Sequence, residues 1–188
     1  MFTQRITIQP LKPFKPLKPL KPLKPFKPLK PLKLSFLSVG KPHEPYVKPG
    51  VDDFTKRISR YYKVDWLFIP APKNAAAMSE TELKKKEGEI ILQGLSKEDY
   101  LVALEERGKQ VSSEGLANLI QARGNESVRN LVFLIGGAYG LDEAVLKRAQ
   151  FRWSLSELVF PHQLVRLILA EQVYRACTIL KNEKYHHK

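Results

Sequence analysis

A proline at every third position is the feature that most limits what the first part of this chain can fold into. Residues 11–33 read LKPFKPLKPLKPLKPFKPLKPLK, a Lys-Pro-Leu/Phe triplet that occurs seven times and is closed by Lys33. Proline fixes φ and lacks an amide hydrogen, so it is excluded from helix interiors and central strands. We therefore predict that residues 1–33 form a low-complexity extension, extended or disordered, ahead of one globular domain at 34–188.

The repeat also accounts for most of the positive charge. The whole chain carries a formal charge of +13. Residues 1–33 contain eight repeat lysines, Arg5 and no acidic residue, so they contribute +9, and 13 minus 9 leaves only +4 for the rest. The globular part is therefore only mildly basic. Two interpretations of the repeat stay open: a basic arm that touches RNA or an acidic surface, or an extension with no fixed role, not normally translated.

Several classes of protein are excluded by composition. The sequence has no run of 18 apolar residues, which a transmembrane helix requires, and its N-terminus lacks the apolar centre of a signal peptide. The single Cys177 excludes an internal disulfide and a cysteine-based zinc site. These features predict a soluble cytoplasmic protein without a metal site or a membrane partner.

From Leu34 onward, short apolar runs alternate with helix-like patterns. Strands are predicted at 34–39, 64–69, 100–104, 131–135 and 158–160, and helices at 51–61, 79–93, 112–123, 142–150 and 161–180. In the second helix, Ser79 and Glu82 have the spacing of a capping box, and Leu83, Ile90 and Ile91 are expected to point inward. The alternation predicts an α/β fold, a mostly parallel sheet with helices on both faces.

A glycine-rich turn follows the most apolar of the predicted strands. Gly136-Gly137-Ala138-Tyr139-Gly140 comes directly after Leu131–Ile135, at the strand end where ligands bind in such sheets. Its G-G-x-x-G spacing matches neither a dinucleotide-binding fingerprint nor a Walker loop. By itself, the turn indicates either an ordinary tight connection or a cofactor site.

A second stretch of the sequence favours a cofactor site at the glycine turn. WSLSELVFPHQLVRLILAEQVYRA at 153–176, taken with LIGGAYGL at 134–141, closely resembles the ribosomal RNA large subunit methyltransferase H family of the SPOUT class. The resemblance covers Leu34 to Lys188. The other matching features are Val39-Gly40-Lys41, Lys86-Glu87-Gly88, Ser112 to Ala117, Ser154-Leu155-Ser156, Pro161-His162 and Tyr185-His186.

The resemblance implies a fold and an activity. It implies an S-adenosylmethionine-dependent enzyme with a deep C-terminal trefoil knot, which general rules of chain connection would exclude by default. The implied acceptor is N3 of a pseudouridine in the helix 69 loop of 23S ribosomal RNA, and the implied assembly is a homodimer on the ribosome. A methyltransferase for another RNA, such as tRNA, and a non-catalytic ribosome-associated RNA-binding protein remain alternatives. The cofactor-binding residues carried over are Leu104, Gly136, Leu155, Ser156, Glu157, Leu158, Val159 and Phe160.

Four residues are candidates for the chemistry on the acceptor. His162 is either a base or a histidine that caps or packs at a helix start. Arg166, one turn on, either grips a phosphate or the uracil oxygens, or pairs with Glu171 or another carboxylate. Tyr185 and His186 are expected to contact RNA or to complete the partner subunit's active site.

Trp153 and Cys177 lie near these candidates in the sequence. Trp153 either stacks on a flipped base or packs in the core. Cys177 is expected to pack in the last helix, because methyl transfer to nitrogen needs no covalent step on the protein.

The start of the chain carries one last expectation. Aligning Gly40 with the glycine that ends the first strand of the resembling family places Leu32 over the family's initiator methionine. We therefore expect residues 1–31 to be an upstream extension that is dispensable, or not made in the cell.

Overall fold

The computed structural model describes residues 31–185 of the chain, so the repeat up to Lys30 and His186 lie outside the described residues. The strands are β1 (Lys33–Val39), β2 (Lys63–Ile69), β3 (Tyr100–Lys109), β4 (Asn130–Ile135) and β5 (Phe151–Trp153). The helices are α1 (Lys48–Ile58), α2 (Glu80–Gly94), α3 (Ser113–Asn125), α4 (Glu143–Arg148) and α5 (His162–Leu180), with a short 3₁₀ turn at Ala75–Ala77.

The five strands form one parallel sheet in the order β2-β1-β4-β3-β5. Helices α1, α3 and α5 pack on one face, where Phe36 and Phe133 are buried. Helices α2 and α4 cover the other face, over Leu37 and Leu134. Successive strand residues thus enter opposite cores, which explains why β4 is apolar from Leu131 to Ile135. The predicted α/β class with a parallel sheet covered on both faces is confirmed, while the knot stays a prediction.

Local signals place most of the helices. Ser79 Oγ accepts a hydrogen bond from the Glu82 backbone N–H at 3.3 Å, so the predicted cap of α2 is present. Leu83 and Ile91 are buried as predicted. The prediction for Ile90 is wrong, because this side chain is 38% exposed. Neighbouring helix positions point about 100° apart, so a helix that buries residue 91 turns residue 90 toward solvent.

The predicted strand at 158–160 is wrong. The fifth strand is β5, which pairs with β3 through Phe151 and Trp153 and so occupies the free edge of β3. Leu158 and Val159 lie in a loop and are 70% and 77% exposed. A short apolar run forms a strand only when a neighbouring strand accepts its backbone hydrogen bonds, and residues 158–160 pair with none of the five strands.

Candidate functional site

A cavity of about 610 Å³ opens beside the carboxyl halves of β3 and β4. This volume lies within the usual range for small-molecule pockets, roughly 300–1,000 Å³. Three segments form most of its wall: residues 104–107 of β3, residues 135–141 around the glycine turn, and residues 153–160 after β5. The remaining lining residues are Lys84, Glu143, Leu146, His162 and Val165.

The cavity brings together most of the predicted cofactor-binding residues. Those that line it are Leu104, Gly136, Leu155, Leu158, Val159 and Phe160. Ser156 and Glu157 belong to the same loop without lining the cavity. Ser156 shapes this loop, because its hydroxyl accepts from the Leu158 N–H at 3.0 Å and its carbonyl accepts from Ser154 Oγ at 2.9 Å.

The glycine turn is closed on itself and also forms one wall of the cavity. The Gly140 N–H donates to the Gly137 carbonyl at 3.0 Å, and Gly140 has a φ of 84°, a conformation that favours glycine. A Cβ at Gly136 would lie 2.9 Å from Leu141 Cδ2 and 3.0 Å from the Gly140 carbonyl carbon. The turn is therefore a tight connection whose glycines are required by its own packing, and its backbone borders the cavity as well.

His162 is the first residue of α5 and lines the same cavity. Burial lowers the pKa of its imidazole, and the positive charge of Arg166 lowers it further. A hydrogen bond between the ring and the backbone of Ala138 acts in the opposite direction and ties His162 to the glycine turn. The net lowering leaves the imidazole uncharged at neutral pH, with a lone pair available to accept a proton.

Arg166 does not line the cavity. It is 2% exposed, and its guanidinium donates to Ser38 Oγ (3.0 Å), the Val39 carbonyl (3.2 Å), the Lys41 carbonyl (2.9 Å) and Gln163 Oε1 (3.3 Å). These contacts join the start of α5 to the end of β1.

The alternative of an ion pair with Glu171 is also not what the structure contains. Glu171 pairs with Arg175 instead, at 2.6 Å. All of Arg166's hydrogen bonds therefore go to uncharged groups of the protein.

Tyr185 lies at the opposite end of α5 from His162. Its hydroxyl donates to Glu171 Oε1 at 3.1 Å, and its ring packs against Tyr174 with centroids 4.7 Å apart. The Tyr185 side chain therefore folds back along α5 towards Glu171, near the middle of the helix, and it does not line the cavity of its own chain.

The two remaining candidates are core residues. Trp153 is buried and packs against Phe133, with ring centroids 6.2 Å apart. Cys177 is buried, and burial raises the pKa of its thiol to about 12. A thiol that remains protonated at neutral pH is a packing group, as predicted.

Glu87 is the residue near the cavity to which sequence reasoning gave no role. It lies in α2 and is 6% exposed, and its carboxyl group packs against the backbone of Gly137 in the glycine turn. Burial raises the pKa of this carboxyl. The only signal in the sequence was its place in the matching Lys86-Glu87-Gly88.

Within residues 31–185, none of the helices combines the length and the apolarity needed to cross a membrane. In the same part of the chain, His, Cys, Asp and Glu side chains do not gather in groups of three or more that could hold a metal ion.

Comparison with known proteins defines the class. The family described as "Predicted SPOUT methyltransferase" matches residues 32–186, and the chain belongs to this family. Among curated relatives, the "Ribosomal RNA large subunit methyltransferase H" of Flavobacterium johnsoniae is 46% identical over 155 residues, which cover 82% of this chain and 99% of the relative. The protein of the same name from Alkaliphilus oremlandii is 45% identical over 156 residues, covering 81% and 98%.

These identities confirm the resemblance stated from the sequence. A solved structure of a probable methylase family protein from Haemophilus influenzae Rd KW20 aligns with a TM-score of 0.49 at 9% identity, covering 82% of this chain and 70% of that one. Membership of the family rests on the sequence comparisons.

Proposed function

We propose that this protein is an S-adenosylmethionine-dependent methyltransferase of 23S ribosomal RNA that acts in the cytoplasm. The proposed acceptor is N3 of a pseudouridine in the helix 69 loop of the assembled ribosome. The observation that carries the proposal is the shared cavity: residues 104, 136, 155 and 158–160, which come from separate segments of the chain, line one space together with His162. The names of the relatives support RNA of the large subunit as the substrate.

The cavity suits the proposed methyl donor. It is large enough for a drug-sized ligand, and the exposed side chains of Tyr139, Leu158 and Val159 provide apolar surface at its wall. The glycine turn offers backbone without side chains, and the loop 155–160 offers main-chain groups for hydrogen bonds. When bound, the donor supplies a methyl group on a positively charged sulfur, so the protein needs to bind, orient and exclude water.

His162 is the proposed base. The imide nitrogen of the acceptor carries a proton that must leave when the nitrogen is methylated, and an uncharged imidazole at the cavity wall is able to take it. In this proposal Arg166 acts through the position of His162, because its buried hydrogen bonds fix the first turn of α5 against β1. It is therefore a positioning residue and not a contact to RNA.

We also propose a symmetric homodimer formed through α5. Leu164, Leu167 and Ile168 are apolar residues of α5 that remain only partly buried in a single chain. Pairing two copies would cover this surface and would let Tyr185 and His186 of one subunit approach the cavity of the partner. Tyr185 does not line the cavity of its own chain. Light scattering at micromolar concentration tests this assembly, and a monomer would contradict it.

Two measurements test the proposed activity. Calorimetric titration with S-adenosylmethionine is expected to show binding, which an RNA-binding protein without catalytic function would lack. In a strain lacking the gene, the helix 69 pseudouridine is expected to lose its methyl group and to regain it on expression of the wild-type chain. The variant His162→Ala is expected to bind the donor normally and to fail to restore the methyl group.

The same strain distinguishes the alternative substrate. If the large-subunit RNA of the deletion strain stays methylated while a tRNA loses a methyl group, the enzyme acts on tRNA. If neither RNA changes and no donor binds, the protein is not a methyltransferase of RNA.

A further inference from the structure

The carboxyl group of Glu87 lies directly beneath the glycine turn. A Cβ placed on Gly137 would overlap Glu87 Oε2 and would lie 2.9 Å from the carboxyl carbon. The carboxyl thus occupies the space that any side chain at 137 would need. The neighbouring residues of the turn, Gly136 and Ala138, line the cavity. One layer of backbone therefore separates this acidic group from the proposed donor site.

Glu87 has no partner among residues 31–185. No hydrogen bond or ion pair of the described residues involves its carboxyl oxygens, although the residue is only 6% exposed. These oxygens are not among the fully buried polar atoms without a partner, so they keep a small contact with solvent. A carboxylate with so little water around it and no protein partner acts strongly on a positive charge nearby, and a cationic ligand on the other side of the turn would supply such a charge.

Close packing keeps the carboxyl in this place. A Cβ at Gly88, the next residue of α2, would lie 2.8 Å from the Asp142 Cβ and 3.3 Å from Val145 Cγ2. Helix α2 is thus in contact with the glycine turn through Glu87 and with the start of α4 through Gly88. The fold thus holds the backbone of α2 beside the turn, and with it the attachment point of the Glu87 side chain.

Glu87 differs from the other charged groups at the cavity in its burial. Lys84, Glu105, Glu106, Arg107 and Glu143 line the cavity itself, and all of them are exposed or half-exposed, whereas Glu87 lies buried behind the glycine turn. Water and salt screen such charges effectively. A charge held in a poorly solvated position acts more strongly on a nearby ligand.

We propose that Glu87 is a specificity-determining residue that makes the cavity favour a positively charged methyl donor over its uncharged product. This inference rests on the proposed function. The sulfonium sulfur of the donor is positive, and the sulfur becomes a neutral thioether when the methyl group leaves. A fixed negative charge nearby attracts the donor through this extra charge and has much less effect on the product. Glu87 would therefore help the product to leave after each transfer.

The test is a calorimetric comparison of two ligands, S-adenosylmethionine and S-adenosylhomocysteine. Wild-type protein is compared with Glu87→Gln, which keeps the shape of the side chain and removes its charge. Glu89→Gln is the matched control, because Glu89 is an exposed carboxylate of the same helix. Glu87→Met, an apolar replacement of similar length, is measured as well, so that the test does not depend on a single variant. Thermal unfolding without ligand establishes which variants are folded.

In Glu87→Gln and Glu87→Met, S-adenosylmethionine is expected to bind about tenfold more weakly relative to S-adenosylhomocysteine than it does in wild type, as expected for one unscreened charge pair. Glu89→Gln is expected to leave both affinities unchanged. Equal weakening of both ligands in the folded variants would overturn the inference and leave the proposed function intact. If the wild-type protein binds neither ligand, the cofactor assignment fails and the inference fails with it.

Discussion

Two buried ionisable side chains lie at the ends of neighbouring strands, on opposite faces of the sheet, and their surroundings differ. Arg166 of α5 sits at the end of β1, where its guanidinium donates four hydrogen bonds. Glu87 of α2 sits beyond the end of β4, against Gly137, with no partner among the described residues. Strands β1 and β4 are adjacent, with Ser38 opposite Ile135.

This difference in partners separates the two charges. Arg166 stabilises the fold, whereas Glu87 is the charge proposed to act on a ligand. Arg166 connects the end of β1 to the start of α5 and so places His162 at the cavity. Glu87 makes no such connection, and its removal leaves no hydrogen-bonding group unsatisfied. Burial alone therefore does not identify a functional charge, and the proposal for Glu87 rests on its lack of a protein partner beside the cavity.

The largest expected effect is the loss of Arg166. Arg166→Ala should lower the free energy of unfolding by about 3–5 kcal/mol, because it leaves buried carbonyl and hydroxyl groups without donors. Urea denaturation measures this loss. The matched control is Arg175→Ala, which breaks a partly exposed ion pair with Glu171 and should cost about 0–1 kcal/mol. Similar losses in both variants would contradict the structural role of Arg166.

A smaller effect is expected at Gly137. Gly137→Ala should cost about 1 kcal/mol, because the new methyl group would overlap the Glu87 carboxyl, which is the end of a flexible side chain and must move to another rotamer. In a Glu87→Ala background the same substitution should cost much less, and a double-mutant cycle measures the coupling. Gly94→Ala is the control, since a Cβ there would meet nothing within 4 Å. Additive costs would show that Glu87 does not press on the turn.

Removing the charge of Glu87 should change the dependence of stability on pH. Burial raises the pKa of this carboxyl in the folded protein, so its contribution to stability is present at low pH and is lost as the pH rises through the raised pKa. Glu87→Gln should escape this loss and become the more stable form at neutral pH, by about 1 kcal/mol. Denaturation of wild type and Glu87→Gln at pH values from acid to neutral measures how the difference in their unfolding free energies changes. A difference that stays constant across that range would contradict the prediction.

The smallest expected effect concerns His162. Its pKa should lie below the ordinary histidine value of about 6.5, because of burial and the charge of Arg166. NMR titration of the imidazole measures this value directly. Methyl transfer should therefore persist into mildly acidic buffer and fall only as the pH drops through the lowered pKa, where the base becomes protonated. A pKa above the ordinary value would show that the charge of Arg166 does not reach His162.

Local patterns were enough to predict the parts of the fold that depend on nearby residues. The Ser79 cap and the apolar run Leu131–Ile135 of β4 are signals contained within a few residues, and both the cap and the strand are present. The prediction of a strand at Leu158-Val159-Phe160 was wrong, because a short apolar run is equally suited to a strand and to a cavity wall. The sequence alone did not show that β5 pairs with β3 and that this run lines the cavity instead.

The resemblance to a family supplied the positions of the candidate site, and the structure supplied their surroundings. Sequence reasoning placed Arg166 on the side of α5 that carries His162. It could not foresee that the guanidinium would meet Ser38, 128 positions earlier in the chain. Glu87 was out of reach for the same reason, because its environment is made by a glycine from another segment. Burial and partners of a charge depend on contacts distant in sequence.

The position of β1 between β2 and β4 also affects co-translational folding of the chain. The Ser35 hydroxyl donates to the side chain of Asn130, 95 positions later, so one edge of β1 has nothing to pair with until most of the protein has been made. Helix α5, which covers the core next to it, is added last. Contacts that span so much of the chain slow folding and leave a strand edge open to wrong partners. A growing chain of this protein should therefore need protection by a chaperone until its final helix has left the ribosome.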